Sequence, residues 1–330
     1  MELLWGTTSI HNRETVIFLE SRIFYSTAKL GWNHDHTRPF TGMGVVFFYY
    51  VKQNEEELIM SVKAEGRLSH QKLGQQLELF MSMEEAPGMP FYLPKGMVLR
   101  NELENLWREK HQQAGYQEIK TPIMMKQELW EKSGHWDHYH ENMYFADVDE
   151  QKYAIKPMNC PGAVLIFNSK RRGYRELPIR YAELGLVHRH ELSGSLNGLL
   201  RVRAFTQDDA HLFVLEEQIE GELAKVLDLV DEFYKEFGFS YKVELSTRPE
   251  NFMGSVEAWD QAEKALESVL KSKQVEYQVN EGDGAFYGPK IDFHIFDSLG
   301  RSWQCGTVQL DFQMPEKFSC QYVDENNQLR

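Results

Sequence analysis

Between Leu177 and Phe213 the chain gathers residue types that could do chemistry together. A first run, Ile179 to His190, carries Arg180, Glu183, Arg189 and His190. The loop Ser193-Gly194-Ser195-Leu196-Asn197-Gly198 follows, and a second run, Leu199 to Phe213, carries Arg201, Arg203, Gln207, Asp209 and His211. In that second run Arg201, Arg203, Phe205, Gln207, Asp209 and His211 hold every second position, so one extended strand would turn them all to one face. Two such runs around a Gly/Ser/Asn loop predict an antiparallel hairpin. A face of two arginines, an amide, a carboxylate and an imidazole is a candidate site rather than a core surface.

Arg189, Glu191 and Arg201 suit a nucleoside triphosphate, because guanidinium forks match phosphate oxygens and a carboxylate can accept from an adenine amino group. A salt-bridged hairpin accounts for the same three residues. Cys160 and His211 form a candidate zinc pair, since the metal takes thiolate and imidazole readily. Packing of a lone cysteine and a satisfied strand histidine remain the plain alternative. In Gly284-Ala285-Phe286-Tyr287-Gly288-Pro289-Lys290 a tyrosine and a lysine emerge at a strand start, as a binding wall or an ordinary turn would have them. Gln304 and Gln309 stand an odd number of positions apart and would face opposite ways on a regular strand. A bulge near Gly306 would bring them together. His34-x-His36 has no third ligand at a suitable spacing and reads as a surface loop.

These residues need a scaffold. Apolar periodicity and turn residues predict helices over 54–80, Leu99 to Ala114, Glu128 to His135 (stopped by Ser133-Gly134), Met158 to Lys170 with Pro161 in its first turn, Glu216 to Phe237 and Ser255 to Lys271. Strands are predicted at Val45 to Val51, Tyr116 to Lys120, Met143 to Ala146, Tyr153 to Lys156, Tyr241 to Ser246, Glu276 to Val279, Lys290 to Phe296 and Ser302 to Phe312. The prolines of 84–99 make that stretch irregular or edge-like. Hairpin-scale turns between strands, with helices between blocks, give an α+β fold with a mainly antiparallel sheet. Neither GxGxxG after a strand nor GxxxxGK[ST] occurs.

The composition sets wider bounds. The 330 residues carry a net charge of −14, which argues against binding nucleic acid by overall charge. Between Lys170 and Arg203, however, eight Lys/Arg stand against three acids, a local surplus that suits an anionic small ligand or a solvated basic face. Three cysteines cannot form a disulfide framework, and no run is long enough for a membrane span, so a soluble cytoplasmic protein is expected.

The ordered set KPMNCPG (156–162), RYAELGLVHRHELSGSLNGLLRVRAFTQDDAHLF (180–213), GAFYGPKIDF (284–293) and QCGTVQLDF (304–312) resembles the threonyl-tRNA synthetases, a family of class II aminoacyl-tRNA synthetases. EEAPGMPFYLPKGM (84–97), GYQEIKTPIMM (115–125) and LWEKSGHW (129–136) extend the likeness, which runs from about Ser69 to Phe312. It implies a class II synthetase-like, six- to seven-stranded antiparallel sheet flanked by helices. Residues 67–330 would form the catalytic core and 1–66 a poorly matched N-terminal segment, too short for an editing domain.

The resemblance also implies roles. The hairpin would be motif 2, and Gly115 to Pro122 would lie in motif 1, through which such enzymes form homodimers. Arg189 would contact the ATP α-phosphate, Glu191 the adenine, with Arg201 and Gln304 also lining the ATP site and Mg2+ accompanying the nucleotide. Gln207, Asp209 and Tyr287 would hold threonine, with Lys290 and Gln309 close by. His135 would stand near the terminal ribose of tRNA-Thr, and Cys160 and His211 would ligate Zn2+. In this family the metal takes the substrate's amino group and hydroxyl, so valine is rejected. Serine loses only a methyl, worth roughly 1–3 kcal/mol. Motif 3, with an arginine for the γ-phosphate and a third zinc ligand, has no counterpart here, His294 has no motif support as a substitute, and Ala163 stands where relatives often have histidine. The expectation is therefore a threonine–tRNA ligase core, incomplete at its C-terminal end, that aminoacylates poorly or not at all alone. The alternative is a truncated relative that binds ATP or a partner subunit without ligase activity.

Overall fold

The computed structural model describes the backbone of residues 17–23 and all of residues 69–296 and 300–330. The predicted strand Val45 to Val51, the pair His34/His36 and the part of the predicted helix 54–80 before residue 69 lie outside the described residues; the rest of that helix ends at Gln76, and Phe80 belongs to a strand.

The chain begins with β1 (Ile17–Ile23), then α1 (His70–Gln76), β2 (Phe80–Met81) and β3 (Phe91–Tyr92). The two-residue strands β2 and β3 pair across the proline-rich stretch. The next helix, α2 (Pro94–Gln113), opens on Pro94, earlier than the apolar period alone suggests, because proline suits a first turn where its missing N–H is not needed. β4 (Gln117–Glu118) and β5 (Met124–Lys126) lead to α3 (Gln127–Ser133). Gly134, at φ 82°, ends that helix and starts α4 (His135–Tyr139).

β6 (Tyr144–Val148) and β7 (Gln151–Ile155) form a hairpin that β5 joins. α5 (Cys160–Asn168) and β8 (Arg172–Gly173) precede the central hairpin of β9 (Ile179–His188) and β10 (Ala204–Val214). Then come α6 (Ile219–Glu236), β11 (Tyr241–Ser246), α7 (Val256–Ser272), β12 (Tyr277–Asn280), β13 (Lys290–Phe296), β14 (Ser302–Asp311), α8 (Gln313–Lys317) and β15 (Tyr322–Val323). Ser255 caps α7 by accepting from the Ala258 N–H at 3.2 Å.

The main sheet has eight strands in the order β12-β11-β13-β14-β1-β10-β9-β4, against the expected six or seven. It is antiparallel except at its two edges, where β12 runs parallel to β11 and β4 parallel to β9. One face is apolar: Ala182, Leu184, Ala210, Leu212, Ile291, Phe293, Val308 and Leu310 pack with Leu223, Val226, Val230 and Phe233 of α6 and Leu266, Val269 and Leu270 of α7. On the opposite face Tyr181 and Phe213 pack with Cys160, Val164 and Phe167 of α5. The face with Asp209 and His211 is this second one.

β1 was not anticipated. It lies between β10 and β14 and completes both ladders. Its register matches its sequence: Ile17 and Leu19 stand opposite the core positions Val214 and Leu212, whereas Glu20 stands at the register of His211 and Gln309, and Arg22 at that of Asp209 and Thr307.

Candidate active site

The site is built on the second face of the sheet, where β9 and β10 pair Gln207 with Gly185, Asp209 with Glu183 and His211 with Tyr181. Gln207, Asp209 and His211 are fully buried. Two carboxylates directly opposite one another would repel, and each has its own counter-group. Lys156 Nζ lies 3.0 Å from Glu183 Oε1, and Thr121 Oγ1 donates to Glu183 Oε2 at 2.9 Å. Asn159 Nδ2 donates to Asp209 Oδ2 at 2.6 Å and to Gln207 Oε1 at 3.2 Å. Burial pulls the Lys156 ammonium below its usual range, while Glu183 beside it opposes that shift.

The expected alternation holds only in part. β10 begins at Ala204, so Arg201 and Arg203 precede the strand and do not share the face of Gln207, Asp209 and His211. Arg201 instead donates to Glu191 Oε2 at 3.1 Å. Arg203 spans the hairpin mouth, donating to the Glu191 carbonyl (2.9 Å), the Pro87 carbonyl (3.2 Å) and Ser193 Oγ (3.2 Å). Arg189 donates to the Pro157 carbonyl at 3.2 Å and sits over the rings of Tyr139 and Phe205. Arg189, Glu191, Arg201 and Arg203 thus form a charged cluster at the loop end of the hairpin. Two members of the basic surplus serve the scaffold instead. Arg180 makes a two-pronged contact with Glu222 of α6, and Arg172 donates to Tyr181 Oη at 2.7 Å.

A second wall comes from β13 and β14. The register shifts so that Gly306 faces Phe293 while Gln304 faces His294, which leaves Cys305 as the extra residue of a bulge. The interruption beside Gly306 puts Gln304 and Gln309 on one face. Gln304 Nε2 donates to Asp292 Oδ1 at 2.5 Å, and Gln309 Oε1 accepts from Tyr287 Oη at 2.7 Å. Asp292, buried, is the hub of this wall: it also accepts from Ser246, Thr307 and Lys290.

Cys160 is buried in the cluster that contains Tyr181 and Phe213, the cross-strand partner of His211 and the residue two further along β10. Thiolate and imidazole are ligand types that zinc takes, and Cys160 and His211 lie on the same side of the sheet. Among the described residues, no group of three or more His, Cys, Asp or Glu side chains is placed to hold a metal. His294 pairs with Glu244 at 3.5 Å, toward the β11 side of the sheet, and is not brought to Cys160. His135 is fully buried, its Nδ1 2.7 Å from Ser133 Oγ and its Nε2 3.0 Å from Met158 Sδ. It abuts the loop that carries Asn159 and Cys160 rather than opening to solvent. Burial raises the Cys305 and Cys320 thiols to about 12, so neither is a ready nucleophile.

Sequence reasoning gave no role to Lys156, Asn159, Glu183 or Asp292. The signals were an acidic residue flanked by apolar ones in each of two strands (Glu183 and Asp292) and the polar residues inside KPMNCPG.

This sheet, with its polar face between a charged hairpin mouth and a bulged wall, is the architecture of a class II synthetase core. The chain belongs to the tRNA synthetase class II core domain family (G, H, P, S and T), whose profile matches residues 143–330. It is 66% identical over 259 residues to the threonine–tRNA ligase of Carboxydothermus hydrogenoformans, covering 78% of this chain and 41% of that protein. It is 57% identical over 301 residues to that of Syntrophomonas wolfei, covering 91% of this chain and 47% of that protein. The chain therefore spans less than half the length of these relatives. Among solved structures it is similar to one described as the RNA binding domain of threonyl-tRNA synthetase from Cryptosporidium parvum, with a TM-score of 0.74, 45% identity and coverage of 79% of this chain and 66% of that one. A Giardia lamblia prolyl-tRNA synthetase shares the fold at a TM-score of 0.59 and 16% identity, covering 78% of this chain and 47% of that one.

Proposed function

We propose that this chain carries the activation site of a threonine–tRNA ligase. Threonine and ATP would condense to threonyl-adenylate with release of pyrophosphate, and the threonyl group would pass to tRNA-Thr. The observation that carries this reading is the buried row Gln207, Asp209 and His211, braced by Asn159 and flanked by Cys160. The identity to named threonine–tRNA ligases supports the choice of amino acid.

Asp209 supplies a carboxylate for the substrate ammonium, with Gln207 beside it. Tyr287 and Gln309 would contact the substrate from the second wall, on the same face of the sheet. Cys160 and His211 would hold Zn2+, which when bound supplies a Lewis acid able to take the amino group and hydroxyl of threonine. Arg189 places a fixed cation at the α-phosphate, where charge develops as the adenylate forms. Its stacking between Tyr139 and Phe205 keeps that cation in place. Glu191 and Arg201 flank the adenine, Gln304 lines the nucleotide site, and Lys290, 2.7 Å from Asp292, is held at the pocket edge. Mg2+ accompanies ATP. His135 acts on the loop of Cys160 and through it on the transfer step. The protein pairs as a homodimer through the Gly115–Pro122 region and works in the cytoplasm. No helix among the described residues is long and apolar enough to cross a membrane.

Calorimetric titration of the zinc-loaded protein with threonine, serine and valine tests this reading. Threonine is expected to bind best, serine more weakly and valine not measurably. Equal binding of valine and threonine would refute it, and ATP binding without any amino-acid binding would favour the non-ligase alternative.

A further inference from the structure

We propose that Asn159 is a positioning residue for amino-acid recognition, and that Gly185 exists to make room for it. This deepens the threonine-activation reading and rests on it. Asn159 is fully buried at the turn before α5 and reaches across to β10 with a single amide nitrogen. That nitrogen donates both to Asp209 Oδ2 at 2.6 Å and to Gln207 Oε1 at 3.2 Å. The orientation of the amide is settled chemically: a carboxylate can only accept, so the nitrogen must face Asp209. The one donor therefore fixes the rotamers of two residues assigned to threonine.

The backbone beneath is shaped for this contact. Gly185 is the cross-strand partner of Gln207, and a Cβ placed there would overlap the Asn159 amide on both its nitrogen and its oxygen. The surrounding β9 positions Ala182, Leu184 and Val187 all carry side chains and are buried, so the glycine is not a general weakness of that strand.

Two further atoms point to a ligand. Asn159 Oδ1 and Gln207 Nε2 are buried and have no hydrogen-bond partner among the described residues. A buried acceptor beside a buried donor, both unsatisfied, is unfavourable in a scaffold and rare where no ligand completes the set. Asn159 is thus placed to hold Asp209 and Gln207 in register and to present its own oxygen toward a substrate donor.

The test is a double-mutant cycle in the full-length zinc-loaded protein, read as the dissociation constants of threonine and of ATP. Asn159→Ala and Gly185→Ala should each weaken threonine binding at least about tenfold and leave ATP binding within about twofold. The double variant should be no worse than either single, because the added methyl removes a contact that is already gone. Asn159→Ser, which keeps a short donor, should recover part of the loss and serves in place of Asn159→Ala if that protein does not fold. Additive losses, or losses shared equally by threonine and ATP, would reduce Asn159 to a packing residue and overturn the proposal. Threonine binding by the parent chain with no change in the variants overturns this inference alone. Failure of the parent chain to bind threonine removes the activation reading and this inference with it.

Discussion

Glu183 and Lys156 are both fully buried and meet at 3.0 Å, with Thr121 donating to the same carboxylate. Removing one member of such a pair leaves an uncompensated charge in the interior, which typically costs 3–5 kcal/mol. Lys156→Met should therefore lower the unfolding free energy by about that amount in denaturant titration, and the double change to Met and Leu should recover part of it. A single-variant loss below about 1 kcal/mol would show that the ammonium is not charged in the folded state. Asp311 makes a second residue-level case. Burial raises its carboxyl from 3.8 to about 7, although the Gln313 and Met314 N–H groups donate to it and favour the charged form. Between pH 4 and 7 the folded state then holds a proton that the unfolded chain releases, so this group makes stability fall as pH rises. Asp311→Asn should flatten that decline in pH-dependent thermal unfolding; an unchanged slope would contradict the assignment. Proximity was legible where residue types cluster in sequence: Gln207, Asp209 and His211 share one buried face, and Arg189 and Glu191 lie with the loop that joins β9 and β10. Asn159 and the Lys156–Glu183 pair were not, because their partners stand 27 to 50 positions away and only the fold brings them together.

At the scale of elements, local signals carried far. Tyr241–Ser246 and Lys290–Phe296 have the limits that alternation gives, and Gly134 stops its helix as expected. Arg201 and Arg203 leave the expected face because alternation in sequence extends beyond the strand itself: β10 starts at Ala204, once the chain has left the Asn197–Arg201 bridge. The missed strand β1 has a different cause. Its seven residues, IFLESRI, run three apolar then three polar instead of alternating, both neighbours lie roughly two hundred or more positions downstream, and no nearby turn announces the pairing. β1 fills a central slot, so its N–H groups serve buried ladders. Ser21→Pro, which removes one donor from the strand, should cost on the order of 3 kcal/mol and lower the midpoint of thermal unfolding by several degrees. An unaltered midpoint would mean that β10 and β14 do not depend on this strand.

At the scale of the whole molecule, the sheet divides two tasks between its faces. The apolar face against α6 and α7 supplies the stability that lets the opposite face bury Glu183, Gln207, Asp209, His211 and Asp292. The α+β class, the hairpin and the family were readable because turn residues and ordered motifs are local. The eight-strand order, with its parallel edges and central β1, was not, because strand order is fixed by contacts that sequence spacing does not encode. The central claim is that the polar face activates threonine. Amino-acid-dependent exchange of labelled pyrophosphate into ATP, in the full-length zinc-loaded protein, tests it most directly. Exchange is expected with threonine, more slowly with serine and not with valine, and the threonine signal should fall by at least about a hundredfold in Arg189→Ala, the order expected when one preorganised charge contact is removed. Exchange that is equal for valine and threonine, or that survives Arg189→Ala unchanged, would contradict it.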